Sequence, residues 1–267
     1  SYLLPIVEYS CIVWGGCSAH DCSSLQKLQN EAARIVTGLT RSVSLDNLYR
    51  ECGWVPLAER RRQQKLIFMY RSVNGLVPTY ITDLIPPPVR EINSYALRNQ
   101  NDITIPFCRT EISRKSCISS SISAWNSLSI GLRNSSSLAS FKYQLKRQQN
   151  SSKVPVFYNV GNRYLSVLHA RIRNFCSNLN FDLYSNHLLP SPACSCSCDI
   201  EDAEHYFFTC LKYTNERVTL FQSTRHFHPL NLHVLLLGDD NLSIEDNTTI
   251  FTAVQVFIKD TKRFIRN

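Results

Sequence analysis

Cys194-Ser-Cys196-Ser-Cys198-Asp-Ile-Glu-Asp-Ala-Glu-His205-Tyr-Phe-Phe-Thr-Cys210 is the stretch on which the reading of this chain turns. It crowds soft-metal ligands at a spacing that can close on one ion. Cys196, Cys198, His205 and Cys210 make a Cys3His set, which suits tetrahedral zinc. With all four positions filled by protein, such a site is structural rather than catalytic. Cys194 is a surplus thiol that can replace Cys196 or Cys198; composition does not choose between them. Cys-x-Cys is a tight bite, and the small Ser195 and Ser197 permit the sharp turn it needs. His205 and Cys210 are five apart, which on an uninterrupted α-helix separates them by about 140°. A turn or helix end is therefore expected inside Tyr206 to Cys210. Sulfurs sharing one zinc should lie about 3.7 Å apart.

Outward from that stretch, 267 residues suffice for one large or two modest domains. No apolar run reaches the roughly 20 residues of a membrane span, so no membrane partner is expected. Ser1-Tyr-Leu-Leu-Pro-Ile lacks the basic start of a signal peptide, and Met69 is the sole methionine. The chain reads as the tail of a longer, intracellular polypeptide. Cys11, Cys17, Cys22, Cys52, Cys108, Cys117 and Cys176 are scattered and read as reduced thiols. The net charge of +8 is uneven: residues 1–150 hold 18 Lys/Arg against 10 Asp/Glu, while residues 151–267 hold 11 of each. A basic half beside a neutral half points to a polyanion partner.

The hydrophobic periodicity predicts a mainly α fold. Ser24 to Val36 has an apolar stripe of Leu25, Leu28, Ala32, Ile35 and Val36. Ser44 opens a short helix closed by Gly53, and a long helix runs from Pro56 to Val73. That helix carries Arg60, Arg61, Arg62 and Lys65, expected to contact phosphate, although consecutive arginines cannot share one face and at least one must snorkel or pair with an acid. Residues 86–152, with Pro86-Pro-Pro88 and a β-like Ile103-Thr-Ile105, read as a linker with short helices around Trp125 and from Leu138 to Leu145. Helices follow at Arg163–Phe175, flanked by Arg171 and Arg173 as further nucleic-acid candidates, at about Tyr213–Phe221, and at Ile244–Ile265. The expected organisation is a helical module over 1–85, the linker over 86–152, and a helical module with the Cys3His set over 153–267; the resemblance below makes the first thumb-like and the last a zinc-knuckle module.

The order of these pieces resembles the C-terminal part of reverse transcriptases of non-LTR, LINE-type retrotransposons, downstream of the polymerase palm. The resemblance rests on Leu4-Pro-Ile-Val-Glu-Tyr-Ser-Cys-Ile-Val-Trp14, Leu25-Gln-Lys-Leu-Gln-Asn-Glu-Ala-Ala-Arg-Ile-Val-Thr-Gly38 and Glu51-Cys-Gly-Trp-Val-Pro-Leu-Ala-Glu-Arg-Arg-Arg62. It continues through Trp125-Asn126, Phe141-Lys142, His169-Ala-Arg-Ile-Arg173, Leu179 to Tyr184, and the Cys/His stretch up to Tyr213. It spans nearly the whole chain. It implies a thumb that grips the primer-template duplex and a zinc knuckle that helps bind template RNA, with the upstream palm of the same polypeptide as partner. Asp199 follows Cys198 where the family usually has glycine, and Ser129 stands where it usually has proline. Both departures fit a drifted copy, and a host-recruited scaffold built on protein contacts is the alternative.

No catalytic residue is expected. Gly238-Asp239-Asp240 imitates a polymerase carboxylate pair, but two-metal chemistry needs a third carboxylate and a palm sheet, and Gly-Asp-Asp-Asn is ordinary turn chemistry. His226-x-His228-x4-His233 has no neighbouring acid or thiol and reads as loop and core histidine. The fragment lacks the catalytic residues of an RNA-directed DNA polymerase.

Overall fold

The computed structural model describes residues 3–92, 95, 98–147, 154–227 and 229–265. The principal helices are α1 (Ala19–Thr37), α2 (Leu45–Cys52), α3 (Leu57–Val73), α4 (Cys117–Asn126), α5 (Leu138–Arg147), α6 (Arg163–Arg173), α7 (Thr214–Thr224), α8 (Leu232–Leu237) and α9 (Ile244–Asp260). The fold is mainly α; among the described residues the sole β-pairing is an isolated bridge between Pro88 and Ile103. No helix among them is long and apolar enough to cross a membrane.

The chain divides into two compact units whose limits differ from the sequence expectation. Unit 1 comprises Ser1–Gln29 and Val55–Ser151; unit 2 comprises Asn30–Trp54 and Ser152–Asn267. The described residues between 86 and 147 are therefore no linker. Trp125 and Phe141 are buried with Leu66, Met69 and Tyr70 in one cluster, so α4 and α5 supply half the core that α3 needs. Tyr70 stacks on Phe141 at 4.6 Å, and its hydroxyl donates to the Ser135 carbonyl at 2.8 Å. The Asn126 side chain accepts from the Ile103 N–H and donates to the Ile103 carbonyl. That double bond pins the extended segment without a sheet.

The start of α1 also departs from expectation. The Ser18 hydroxyl accepts from the Asp21 N–H, so the helix begins five residues before Ser24. Its buried face is Gln29, Ala33 and Thr37, whereas Leu28, Ile35 and Val36 are exposed. Hydrophobicity misjudged the face because the two buried polar side chains are hydrogen-bonded: Gln29 donates to the Val55 carbonyl and Thr37 to that of Ala33. Burial of a polar group costs little once it is hydrogen-bonded. By contrast, α2 follows its signals, with the Ser44 hydroxyl capping Asn47 N–H and Gly53 left-handed at φ 64.

In unit 2, α9 presents Ile250, Phe251, Val254, Phe257 and Ile258 to the core, as its periodicity predicts. A capping box joins Ser243 and Asp246 at its start. The helix ends at Asp260, not Ile265. Lys262 turns left-handed (φ 52), and Phe264 folds back to burial. The helix α8 was not foreseen; Asn231 caps it, and Gly238, at φ 80, leaves it. Gly238-Asp239-Asp240 is thus a helix exit, with Asp239 accepting from Asn241. His226 and His233 are exposed rather than core residues, and His228 lies outside the described residues.

Candidate metal centre

Two chain reversals build the site. In the first, the Cys194 N–H donates to the Cys198 carbonyl at 2.8 Å and the Ser197 N–H to the Cys194 carbonyl at 3.0 Å. These are the bonds of a three-residue hairpin loop whose last residue is left-handed, and Ser197 has φ 74. In the second reversal, residues His205–Thr209 form a π-turn, closed by the Cys210 N–H donating to the His205 carbonyl at 2.8 Å. A π-turn bonds residue i to i+5. It therefore brings His205 and Cys210 onto one side, which an α-helix cannot do at this spacing. The expected interruption is present, in this form.

The ligand atoms of Cys194, Cys196, His205 and Cys210 lie within 4.8 Å of one another, and the set can hold a metal ion. Cys194 Sγ and Cys210 Sγ are 3.8 Å apart, and Cys196 Sγ is 3.3 Å from His205 Nε2. The expected ligand Cys198 is not in the set, and Cys194 takes its place. The reason is local. Left-handed Ser197 sends the chain away after Cys196, so the Cys-x-Cys bite sits two residues earlier. Cys198 stays half-buried against the unit 2 core instead.

The surroundings are ordered for this task. His205 Nδ1 lies 3.0 Å from the Thr209 hydroxyl. Once Nε2 binds a metal, Nδ1 carries the proton and donates it to Thr209, which fixes ring orientation and tautomer. Asp202 accepts from the His205 N–H at 2.7 Å, capping the π-turn. Arg217 donates to the carbonyls of Phe207 and Cys210 from the other side. Glu201 is almost fully buried, paired with Arg263 at 2.6 Å, with Cys194 Sγ 3.9 Å from its other oxygen. Burial pushes the Cys194 thiol up to about 12. At Cys196, desolvation is outweighed by hydrogen bonds from the Cys198 backbone and from Cys194, Cys210 and His205, which bring it down to about 6. Burial also raises Cys210. A bound cation deprotonates coordinating thiols outright.

The cations expected to meet phosphate are largely turned inward. Arg60 pairs with Glu8. Arg61 is buried, its guanidinium 5.7 Å from the centroid of the Trp14 ring. Lys65 donates to the Ser120 hydroxyl at 2.8 Å, and burial lowers its pKa. Arg62 alone of the four is exposed, beside Glu59 one turn earlier. In unit 2, Arg171 donates to the Gly38 carbonyl, and Arg173 forms an ion pair with Glu51 at 2.9 Å that is buried on both sides. Except for Arg62, these residues hold the fold rather than offer their charge. A cluster of exposed cations lies on α5: Lys142, Lys146 and Arg147, with exposed Tyr143 between them and Arg147 over its ring at 5.9 Å.

No protein-family model matches the chain, and no curated protein or solved structure matches it.

Proposed function

We propose that the chain is the non-catalytic, nucleic-acid-binding C-terminal part of a non-LTR retrotransposon reverse transcriptase, and that Cys194, Cys196, His205 and Cys210 hold a structural zinc ion. The observation that carries the reading is the convergence of three thiols and one imidazole at the place where the resemblance puts the family's zinc-binding region. Three thiolates with an imidazole in tetrahedral array favour zinc over harder cations. The corrected ligand register moves one departure from the family pattern to a serine. The residue after the second cysteine is now Ser197, whose left-handed backbone is the conformation a glycine serves.

Template RNA or an RNA–DNA duplex is the proposed partner, with the upstream palm of the same polypeptide supplying the chemistry. Phosphate contact is assigned to Lys142, Lys146 and Arg147. On a helix, residues four apart are neighbours, so Lys142 and Lys146 share one face, and Tyr143 and Arg147 the next. Cations interleaved with an aromatic ring suit a single strand. The test is RNA binding measured across salt, with and without chelator. Replacing the three cations by alanine should flatten the slope of log K against log salt by about two to three units. Alanine at Arg60, Arg61 and Lys65 should leave it unchanged in any variant that still folds.

A second reading, a protein-interaction scaffold, is favoured by the inward engagement of Arg60, Arg61, Lys65, Arg171 and Arg173. It predicts no salt-dependent affinity for RNA, and the same titration decides between the two.

A further inference from the structure

Cys17 and Cys22 read from the sequence as two scattered thiols, but the fold of unit 1 sets them side by side. Ser18 caps α1: its hydroxyl accepts from the Asp21 N–H at 3.1 Å and donates to the Asp21 carboxylate at 2.7 Å. Cys17 therefore lies just before the cap, and Cys22 four residues after it. Side chains at those two positions close over the first turn of a helix, usually as an apolar staple. Here the pair is two sulfurs 3.3 Å apart, both free thiols and both half-buried, so a small reagent can reach them. Packing alone does not ask for sulfur at either position, since two aliphatic side chains would close the turn as well. The pair also sits at a junction. The Cys17 N–H donates to the Trp14 carbonyl at 2.9 Å, at the end of the short helix Cys11–Trp14. That helix and the one before it, Leu3–Glu8, form a strap over α3: Glu8 pairs with Arg60, and the Trp14 ring faces Arg61.

We infer that Cys17 and Cys22 form a redox-active dithiol site, which takes a low-molecular-weight disulfide as co-reactant and on closing clamps the strap to α1. The sulfurs must approach from 3.3 Å to about 2.0 Å, a shift that small side-chain rotations supply. The chemistry is thiol–disulfide exchange. One protein thiolate attacks a sulfur of the small disulfide, releases one small thiol and is left as a mixed disulfide. The second protein thiolate then attacks the protein sulfur of that mixed disulfide. The Cys17–Cys22 bond forms, and the other small thiol leaves. The two protein thiols lose two electrons and two protons in all, and the small disulfide gains both. Cations stand beside the site, as at other reactive thiols: burial raises the Cys11, Cys17 and Cys117 thiols, and the charge of Arg61 or Lys65 opposes it at each. Cys11 is 2% exposed and out of reach of the reagent. Closure ties the strap covalently to α1 and so holds Arg60 and Arg61 in their inward positions. The inference uses neither the metal centre nor the nucleic-acid reading.

The test treats the full, zinc-loaded chain with oxidised glutathione, alkylates the remaining thiols and maps the peptides by mass. Cleavage after Trp14 and before Asp21 puts Cys11, Cys17 and Cys22 on separate peptides, so a linked pair is diagnostic. The Cys17–Cys22 link should be the main product at these residues. It should close about tenfold or more faster in the folded chain than in urea, because the fold supplies the proximity. In Cys22→Ala, Cys17 should stop at the stable glutathione adduct, and Cys117→Ala should form the link as the parent does. Amide exchange over residues 5–22 should be about tenfold slower in the oxidised chain than in the reduced one. Glutathione adducts that persist on Cys17 or Cys22 of the parent chain without the link would overturn the proposal. Equal rates of closure in folded and unfolded chains would do the same, and so would equal amide exchange in the two redox forms.

Discussion

Unit 1 and unit 2 use charge in opposite ways. The whole net charge of +8 falls within unit 1, and unit 2 is neutral. Yet unit 1 is held by an aromatic cluster of Tyr70, Trp125 and Phe141 and buries a cation, Arg61, whereas unit 2 buries carboxylates in its interior. Glu51–Arg173 and Glu201–Arg263 each bury a carboxylate almost completely, and the Cys/His set lies beside the second pair. Net charge counts residues. What a partner meets is the subset of heads left exposed, and in unit 1 that subset includes Lys142, Lys146 and Arg147 on α5 while most of the Arg60–Lys65 run of α3 is turned inward.

The largest expected effect on this contrast is loss of the metal. Structural zinc contributes on the order of 10–16 kcal/mol of apparent binding energy in small zinc-folded units. A chelator should therefore deprotect unit 2, including residues 30–54, in hydrogen exchange and leave α3 to α5 protected. Cys194→Ser should lose the metal and Cys198→Ser should keep it, read as zinc per chain by elemental analysis. The opposite pattern would return Cys198 to the ligand set. Next in size is the aromatic cluster. Trp125→Ala should destabilise unit 1 by about 3–5 kcal/mol in denaturant titration, with unit 2 and its metal unaffected. Loss of both units together would show that they do not unfold independently. Arg263→Ala leaves buried Glu201 without its cation and should cost unit 2 about 3–5 kcal/mol. Arg62→Ala, at an exposed pair, should change stability by less than about 1 kcal/mol.

Acid should separate the units as well. His169 is fully buried, its Nε2 at the Leu236 carbonyl and its ring stacked on Phe157, and burial lowers its pKa to about 3. Its ordinary value is 6.5. The folded state therefore keeps the ring neutral while the unfolded chain takes up a proton. Its contribution is fully present above about pH 6.5 and is lost as pH falls from there towards 3. Between those limits unit 2 should lose about 1.4 kcal/mol per pH unit from this one group. A His169→Gln variant that remains folded should show a shallower acid limb. An unchanged limb would assign the acid sensitivity elsewhere. The smallest effect expected is a gain: Ser197→Gly relieves a left-handed residue and should stabilise the loop by up to about 1 kcal/mol.

How much the sequence disclosed varied with the kind of signal. Helix ends marked by Ser44 and Gly53 were readable because caps act within three or four residues. The interruption after His205 was readable because five-residue spacing and a shared ion are incompatible on an α-helix. The choice between Cys194 and Cys198 was not readable. It depends on which serine turns left-handed, and Ser195 and Ser197 have identical side chains. The buried face of α1 was misjudged because Gln29 finds its partner, the Val55 carbonyl, only in the folded chain. The arginines misled for a related reason: Glu8, which neutralises Arg60, is 52 positions away in sequence. Residues 86–152 read as a linker because Trp125, Phe141 and Leu145 are spaced among many serines, and their common burial is a tertiary fact.

The π-turn bears on how this segment tolerates changes in length. An α-turn would align a histidine and a cysteine four apart; the π-turn does so for two that are five apart. The backbone therefore holds one residue more than alignment of the two ligands requires. Removing Phe208, whose ring packs only at the edge of the core against Phe221 at 5.9 Å, would tighten the turn by one register and keep His205 and Cys210 on one side. The main loss would be the Thr209 contact to the imidazole. A His-x3-Cys spacing and a His-x4-Cys spacing are thus interchangeable solutions here, so chains that differ by one residue between these ligands can share a single geometry.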